Sequence, residues 1–319
     1  MVIDEKSLEF WKGRRVCVTG GGGFLGSFVT EKLNQRNADT VFVVRKKDYN
    51  LIHKNDITRL LEDVQPDIIL HLAASAGGIG ANLLHQAEYF YENLMMGTQL
   101  IHESWKFGIE KFVSIGTVCS YPKFTPVPFQ ESDLWNGYPE ETNAPFGLAK
   151  KMMLVQSQVY RSQYDFNAIH LLPVNLFGPR DNFDLEKSHV VPALIRKCIE
   201  AKEQGKDYVE VWGDGSASRE FLYVEDAADG IILAAERYNG DLPINLGSGN
   251  ETDIKDLVLT IKELTEFEGG IHWDTTRPNG QPRRSLDTQR SKELFGFEAP
   301  TSLADGLNRT IDWYLKNRQ

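Results

Sequence analysis

Five glycines in one short stretch, GGGGFLG (20–26), have a spacing that suits the binding of a phosphate group. The stretch lies between an apolar strand-like segment and a helical pattern, and this placement makes a glycine motif specific. Glycine permits a tight turn and lets the main chain approach a pyrophosphate, whose charge then faces the helix N-terminus. The glycines fit two registers, Gly20-x-x-Gly23-x-x-Gly26 and one that begins at Gly21. Both registers predict a dinucleotide site.

A basic run follows the second apolar segment, TVFVV (40–44). Sites that bind NAD often have Asp or Glu at this point to accept the ribose hydroxyls. Here the residues are Arg45, Lys46 and Lys47. An arginine at this position can pair with the 2′-phosphate of NADP, because its guanidinium suits phosphate geometry. The sequence therefore favours NADP(H) over NAD(H).

Strand and helix patterns alternate through the first half of the chain, and a long helical pattern runs from about residue 81 to 106. The four apolar runs that read as strands are at 14–20, 40–44, 67–74 and 111–117. This alternation predicts right-handed crossovers and a parallel sheet with helices on both faces. The predicted fold class is thus α/β, a Rossmann-type doubly wound sheet. Ligands of such sheets bind at the carboxyl ends of the strands. Thr117 and Cys119 follow the fourth strand, so we expect them to face the cofactor crevice.

Composition excludes several classes of protein. The 319 residues carry a net charge of −10, which argues against nucleic-acid binding. No apolar run approaches ~20 residues, so no membrane helix is expected, and the charged N-terminal segment does not resemble a signal peptide. Three widely spaced cysteines favour a reducing cytoplasm over a disulfide framework. The sequence contains no HExxH motif, clustered acidic metal site or Gly-x-Ser-x-Gly elbow, so neither a metal site nor a serine hydrolase is predicted.

Three longer motifs occur in fewer protein families than the glycine turn does: SHVVPALIRK (188–197), GDGSASREFLYVED (213–226) and RPNGQPRRSLD (277–287). With them, the chain resembles the GDP-L-fucose synthases, the epimerase-reductases of GDP-4-keto-6-deoxy-D-mannose, within the extended short-chain dehydrogenase/reductase superfamily. Further segments share the resemblance: SAGGIGAN (75–82), YENLMMGT (91–98), TVCSYP (117–122), ETNAPFGLAK (141–150) and LLPVNLFGPRDNF (171–183). The resemblance therefore runs almost from end to end.

The resemblance implies catalytic roles for four residues. Thr117 stands at the family's catalytic serine and keeps the hydroxyl, and Lys150 is the superfamily lysine. Cys119 and His189 correspond to the two acid/base residues of epimerisation. A 4-keto sugar has acidic protons at C3 and C5, and inversion needs proton removal on one face and return on the other. A cysteine and a histidine suit this task because both can titrate near neutral pH.

One position departs from the family pattern. The superfamily tyrosine, which protonates the C4 alkoxide after hydride transfer, falls on Phe146. A positioned general acid typically contributes ~10²–10⁴-fold, so reduction is expected to be slowed unless water or Thr117 relays the proton. Three interpretations stay open: an engineered Tyr→Phe exchange, a natural epimerase without net reduction that is similar to GDP-mannose 3,5-epimerase, and a catalytically silent nucleotide-sugar-binding protein.

The resemblance also implies the binding residues. For the dinucleotide, these are Gly20, Gly23, Phe24, Leu25, Gly26, Arg45, Ala73, Ala74, Lys150, Pro173 and His189. For the GDP-sugar, they are Asn175, Lys197, Trp212, Arg219 and Arg283 of the Arg283-Arg284 pair. Lys197 stands where the family often has arginine, and lysine lacks the bidentate fork that grips a phosphate.

Two domains are expected. Residues 1–180 are predicted to form the dinucleotide-binding domain, and residues 181–319 mainly a smaller C-terminal α/β substrate-binding domain. A segment at about 212–245 is predicted to return to the first domain. Relatives pair the long helices around 81–106 and 145–163 in a four-helix interface, so the resemblance implies a homodimer.

Overall fold

The computed structural model describes residues 3–78, 80, 84–277 and 281–318. Parts of two predicted motifs lie outside these residues, namely Ile79 and 81–82 of SAGGIGAN and 278–280 of RPNGQPRRSLD. The predicted start of the long helix at about residue 81 also lies outside them. The described strands are β1 Arg15–Thr19, β2 Thr40–Val44, β3 Ile68–His71, β4 Lys111–Ile115, β5 Ala168–Pro173, β6 Asn175–Phe177, β7 Tyr208–Trp212, β8 Ser218–Tyr223, β9 Ile244–Leu246, β10 Glu251–Asp253 and β11 Gly270–Asp274.

The described α-helices flank these strands. They are α1 Glu5–Trp11, α2 Phe24–Gln35, α3 Lys54–Val64, α4 Gln86–Phe107, α5 Ala144–Tyr164, α6 Val190–Glu203, α7 Val224–Arg237, α8 Ile254–Leu264, α9 Gln289–Phe295 and α10 Leu303–Asn317. Short 3-10 helices at Val118–Ser120 and Glu131–Trp135 interrupt the segment between β4 and α5.

The central sheet has six parallel strands in the order β2-β1-β3-β4-β5-β9. The strand order reverses between β1 and β3, because the chain first moves from β1 to β2 and then crosses to the other side. A crevice for a ligand opens at such a reversal. The residues of β3, β4 and β5 are all buried, as expected for strands covered by helices on both faces. The predicted doubly wound α/β class is confirmed.

β1, β3 and β4 are shorter than the apolar runs that predicted them, whereas β2 has the predicted bounds. β3 ends at His71, whereas the run continues to Ala74. Ala73 and Ala74 have left the sheet and form the loop that meets the glycine turn. The apolar character of these two residues therefore reflects packing beside the crevice and not strand pairing.

The C-terminal half of the chain forms most of a second body of structure. Its sheets have the orders β10-β8-β6 and β11-β7, and an apolar cluster joins them to α6, α8 and α10. The chain passes between the two bodies more than once. β6 follows β5 after a single residue, α7 packs against α2 of the larger body, and β9 joins the central sheet.

Candidate active site

The glycine turn packs directly against the residue that follows β3. Gly20 has φ +70°, and a Cβ there would lie 2.8 Å from the main-chain nitrogen of Ala73. A Cβ on Gly26 would overlap the carbonyl oxygen of Gly20. Gly23 is the N-cap of α2, so the helix begins at Phe24 with its main-chain N–H groups directed at the crevice. A Cβ on Gly21 would also lie 3.1 Å from the Val18 carbonyl oxygen, so both predicted registers consist of glycines with a conformational or steric reason.

The guanidinium of Arg45 borders the glycine turn. Arg45 follows β2 and is exposed, and its Nη1 atom would lie 3.4 Å from a Cβ placed on Gly22. Its charge adds to the positive end of α2 at the same edge of the sheet. A close main-chain turn, a helix N-terminus and an arginine together fit a dinucleotide that carries an additional phosphate.

Lys150 reaches the same edge from α5. Its ammonium donates a hydrogen bond to the carbonyl oxygen of Ala73 at 3.2 Å, and its side chain is buried. Burial lowers the pKa of Lys150 to about 8. Lys150 thus joins α5 to the loop that contacts the glycine turn.

Two buried histidines lie near Lys150. Thr19 Oγ1 and His71 Nδ1 are 2.8 Å apart, and Ser114 Oγ and His170 Nδ1 are 2.6 Å apart. These four residues occupy matching positions on β1, β3, β4 and β5. Burial, and then the charge of Lys150, lower the pKa of His71 well below its usual value and that of His170 to about 3. Both rings are therefore neutral, so they add no charge that would oppose the lysine.

Cys119 lies on the short 3-10 helix that follows β4, and Thr117 is the N-cap residue of that helix. The Thr117 hydroxyl oxygen accepts a hydrogen bond from the Cys119 main-chain nitrogen at 3.2 Å. The carbonyl of Cys119 packs so closely on Gly147 of α5 that a Cβ there would overlap it. Ser120 donates to the Gly147 carbonyl oxygen at 2.9 Å. Glycine at this position of the helix is what lets the thiol-bearing turn pack against α5.

Phe146 precedes Gly147 and is half-buried. It lies four residues before Lys150 on α5, a spacing that places two side chains on the same helix face. The structure thus brings Cys119, Phe146 and Lys150 into one region, because Gly147, next to Phe146, contacts the turn that bears Cys119. The effect of phenylalanine at this position stays a prediction.

His189 belongs to the second body and is the N-cap residue of α6. Its side chain is accessible to solvent, yet the surrounding protein displaces enough water to lower its pKa. The segment before it contacts the loop after β3, since the Gly78 nitrogen donates to the Lys187 carbonyl oxygen at 3.1 Å.

Three predicted substrate residues lie on β6, α6 and β7 of the second body. Asn175 donates its side-chain amide to the Glu220 carbonyl oxygen at 2.8 Å. Lys197 donates to the Glu210 carbonyl oxygen at 2.9 Å, and burial lowers its pKa. Trp212 is exposed at the end of β7, and the guanidinium of Arg277 lies 4.9 Å from its ring centroid. An exposed indole beside cationic groups is suited to a nucleotide, although its role in binding stays a prediction.

The adjacent arginines 283 and 284 point to different places. Arg283 is exposed and forms a two-point ion pair with Glu251, with its Nε and Nη2 atoms at 3.0 and 2.5 Å from the carboxylate. Arg284 is buried, and its Nη1 atom lies 3.6 Å from Cys119 Sγ. Burial, and then the charge of Arg284, lower the pKa of Arg219 to about 10. The arginine that the structure brings to the predicted catalytic cysteine is Arg284, and the predicted contact of Arg283 with the GDP-sugar stays a prediction.

The part of the chain that the structure describes contains no group of three or more His, Cys, Asp or Glu side chains able to hold a metal ion. Among those same residues, no helix combines the length and apolarity needed to cross a membrane.

Comparison with known proteins assigns the class. The profile of the NAD dependent epimerase/dehydratase family matches residues 16–247, and the chain belongs to that family. GDP-L-fucose synthase 1 of Arabidopsis thaliana is 39% identical over 306 residues, which cover 96% of this chain and 94% of that relative. The resemblance to the GDP-L-fucose synthases predicted from the sequence is thus confirmed, as is the assignment of the chain as an enzyme.

Solved structures agree with this assignment. The crystal structure of a GDP-6-OMe-4-keto-L-xylo-heptose reductase from C. jejuni superposes with a TM-score of 0.90 at 26% identity, covering 95% of this chain and 98% of that one. A GDP-L-fucose synthetase from Naegleria fowleri bound to NADP superposes with a TM-score of 0.86 at 27% identity, covering 96% and 95%.

Proposed function

We propose that the protein converts GDP-4-keto-6-deoxy-D-mannose to GDP-L-fucose, by epimerisation at C3 and C5 and NADPH-dependent reduction at C4. One observation carries the proposal. A partly exposed thiol, Cys119, and a hydroxyl, Thr117, pack on the helix that bears Lys150, and Lys150 contacts the loop at the glycine turn. Acid/base groups for a sugar and a cradle for a dinucleotide are thereby adjacent.

Cys119 and His189 are the proposed acid/base pair of epimerisation. One group takes the C3 or C5 proton, whose electron pair passes into the enolate of the C4 ketone, and the other returns a proton to the opposite face. The carbon keeps its oxidation state, so this half of the reaction needs no redox partner. The lowered pKa of His189 favours a neutral imidazole, which is the form that accepts a proton.

Reduction at C4 requires a hydride, which is the chemistry that bound NADPH supplies. The protein must hold the ketone oxygen and deliver a proton to it. Thr117 has the hydroxyl to hold that oxygen, and Lys150 supplies positive charge nearby. Phe146 supplies no proton, so we propose that the reductive half-reaction is impaired relative to an enzyme with tyrosine at this position.

Binding of NADP(H) is proposed to involve Arg45 at the 2′-phosphate and Lys150 at the ribose. The other proposed dinucleotide contacts are Gly20, Gly23, Phe24, Leu25, Gly26, Ala73, Ala74, Pro173 and His189. The proposed GDP-sugar contacts are Asn175, Lys197, Trp212, Arg219 and Arg283. We also propose a homodimer and a cytoplasmic location, where a reduced Cys119 would persist.

Phe146 favours a second candidate function, that of a GDP-sugar epimerase without net reduction. Such an enzyme would keep its dinucleotide unchanged over many turnovers. The two candidates share the acid/base pair and the cradle, and they differ in whether NADPH is consumed.

Mass spectrometry of GDP-4-keto-6-deoxymannose incubated with the protein and NADPH in D2O tests the proposal, with Phe146→Tyr run alongside. We expect deuterium uptake with little reduced sugar in the parent protein, and reduction restored in Phe146→Tyr. Deuterium uptake with no NADPH consumption in either protein would favour the redox-neutral epimerase. Neither uptake nor reduction in either protein would overturn the proposed substrate.

A further inference from the structure

A buried arginine from the C-terminal part of the chain contacts the partly exposed thiol at the end of β4. Arg284 Nη1 lies 3.6 Å from Cys119 Sγ, within hydrogen-bonding range of a sulfur atom, although 165 positions separate the two residues in the sequence. Arg284 is only 7% exposed. A guanidinium with so little access to water interacts more strongly with a neighbouring charge than an exposed one does.

The other nitrogens of this guanidinium are held by a neutral group. Gln281 Oε1 accepts hydrogen bonds from Arg284 Nε at 3.3 Å and from Nη2 at 3.0 Å. An amide oxygen fixes the orientation of the side chain without neutralising its charge. The Nη1 edge is thereby directed at the sulfur atom.

The main chain around Arg284 is anchored as well. The Glu220 nitrogen donates to the Arg284 carbonyl oxygen at 2.9 Å. The buried carboxylate of Glu220 accepts from the Leu286 nitrogen at 2.6 Å and from the Ser285 hydroxyl at 3.1 Å. Both sides of the loop are therefore tied to β8, and such anchoring pre-positions a charge next to a reacting atom.

We propose that Arg284 is a positioning residue that stabilises negative charge on the Cys119 sulfur during proton transfer. The inference rests on the proposed role of Cys119 in epimerisation. When the thiolate takes a proton from the sugar carbon, an S–H bond forms, the C–H bond breaks and the charge passes to the enolate. His189 then returns a proton to the opposite face of the same carbon, and the Cys119 thiol becomes a thiolate again by losing its proton to water. Arg284 stabilises whichever state has the charge on sulfur, as a charge-assisted hydrogen bond does.

Alkylation by iodoacetamide at pH 7, followed by mass spectrometry, tests the contact without any substrate. Cys17 and Cys198 are buried, whereas Cys119 is partly exposed, so the folded protein should be labelled at Cys119. The thiolate is the form that reacts. We expect Arg284→Gln to slow labelling about tenfold and Arg284→Lys to keep most of the rate. Cys119→Ser should abolish labelling.

Arg283→Gln is the matched control. It removes the same charge one position away, from a residue that pairs with Glu251 instead of the sulfur, so its labelling rate should equal that of the parent. Equal rates for Arg284→Gln, Arg283→Gln and the parent would overturn the proposal. Labelling at Cys17 and Cys198 would reveal a loosened fold. In that case Arg284→Lys decides, since a rate as low as that of Arg284→Gln would exclude a role for the charge.

Deuterium uptake by the sugar in D2O then tests the consequence for the reaction. We expect Arg284→Gln to slow uptake at the carbon served by Cys119 at least tenfold relative to the parent, when both are measured at saturating sugar. Slow labelling of Arg284→Gln combined with no uptake in the parent would overturn the proposed substrate and not the arginine–thiol contact. Slow labelling with unchanged uptake would overturn the role of Arg284 in catalysis.

Discussion

The ammonium of Lys150 donates to the carbonyl oxygen of Ala73 at 3.2 Å, and the nitrogen of the same alanine donates to Thr19 Oγ1 at 3.2 Å. Ala73 also packs against Gly20. Ala73 therefore links α5, β1 and the glycine turn. A displacement of Lys150 would also displace the loop that contacts the glycine turn.

Replacement of Lys150 by methionine should stabilise the protein while impairing its function. The ordinary pKa of lysine is 10.5 and burial lowers it to about 8, so keeping the charge at pH 7 costs on the order of 3 kcal/mol. This cost is complete below about pH 8 and disappears as the pH rises towards 10.5. Lys150→Met also loses the hydrogen bond to Ala73, which offsets about 1 kcal/mol of this expected gain in stability. We expect a higher Tm for Lys150→Met at pH 7 and weaker NADPH binding.

Thermal melts of both proteins between pH 7 and pH 10 check the sign. The stability advantage of Lys150→Met should shrink as the pH rises, because the parent lysine loses its buried charge. A lower Tm for Lys150→Met at pH 7 would contradict the assignment of Lys150 as a buried cation.

Restoring the phenol should restore reduction. Phe146→Tyr adds one oxygen to a half-buried ring four residues before Lys150, whose charge favours release of the phenolic proton. We expect NADPH oxidation with the 4-keto sugar to rise by ~10²–10⁴-fold. Phe146→Leu, which removes the ring without adding a hydroxyl, is the control and should show no gain. Equal rates for Phe146→Tyr and the parent would mean that another group already protonates the C4 oxygen.

Arg45 should decide between the two nicotinamide cofactors. Its guanidinium borders the glycine turn, and a charge-assisted contact to a 2′-phosphate contributes about 1.5–3 kcal/mol. Arg45→Ala should therefore raise the Kd for NADPH by roughly 10- to 100-fold and leave that for NADH nearly unchanged. Lys47→Ala, a nearby exposed cation, is the matched control in the same titrations. A parallel loss of both cofactors in Arg45→Ala would place the phosphate elsewhere.

Gly26 should tolerate no side chain. A Cβ there would overlap the Gly20 carbonyl oxygen, so Gly26→Ala must displace either α2 or the turn after β1. We expect a fall of about 1–3 kcal/mol in the free energy of unfolding and a loss of NADPH binding. Gly270→Ala, whose added Cβ would have ordinary contacts at 3.7 and 3.8 Å, should behave as the parent. Urea denaturation and cofactor titration measure both effects.

The candidate dinucleotide site could be predicted from the sequence because the residues that indicate it are close together in the chain. The glycines, the following helix and Arg45 lie within 26 positions of one another, and each has a steric or electrostatic reason for its place. The parallel sheet was also predictable, since buried strands form nearly continuous apolar runs. Only the strand ends were misplaced, as the shift of Ala73 from strand to loop shows.

The partners within the site were harder to predict because they depend on tertiary contacts. Arg283 and Arg284 are identical neighbours in a loop, and a loop has no periodicity that tells which side chain faces inward. His71 and His170 each interrupt an apolar strand, which was the only sequence signal for the buried polar pairs beside Lys150. Glu220 looks like an ordinary strand residue, and its role in anchoring the Arg284 loop becomes visible only through its hydrogen bonds.

The loop that carries Arg284 has a consequence for the order in which the protein becomes competent during synthesis. Phe129 forms a parallel β-bridge with Leu286 of this loop, and the Phe129 nitrogen donates to the Ser285 carbonyl oxygen at 2.8 Å. When the ribosome has reached residue 250, the residues of the glycine turn and of every strand in the central sheet have been synthesised. The arginine that contacts Cys119 has not. The contact between Arg284 and Cys119 can therefore form only after every strand of the central sheet has been synthesised, so this part of the candidate site is completed later than the glycine turn.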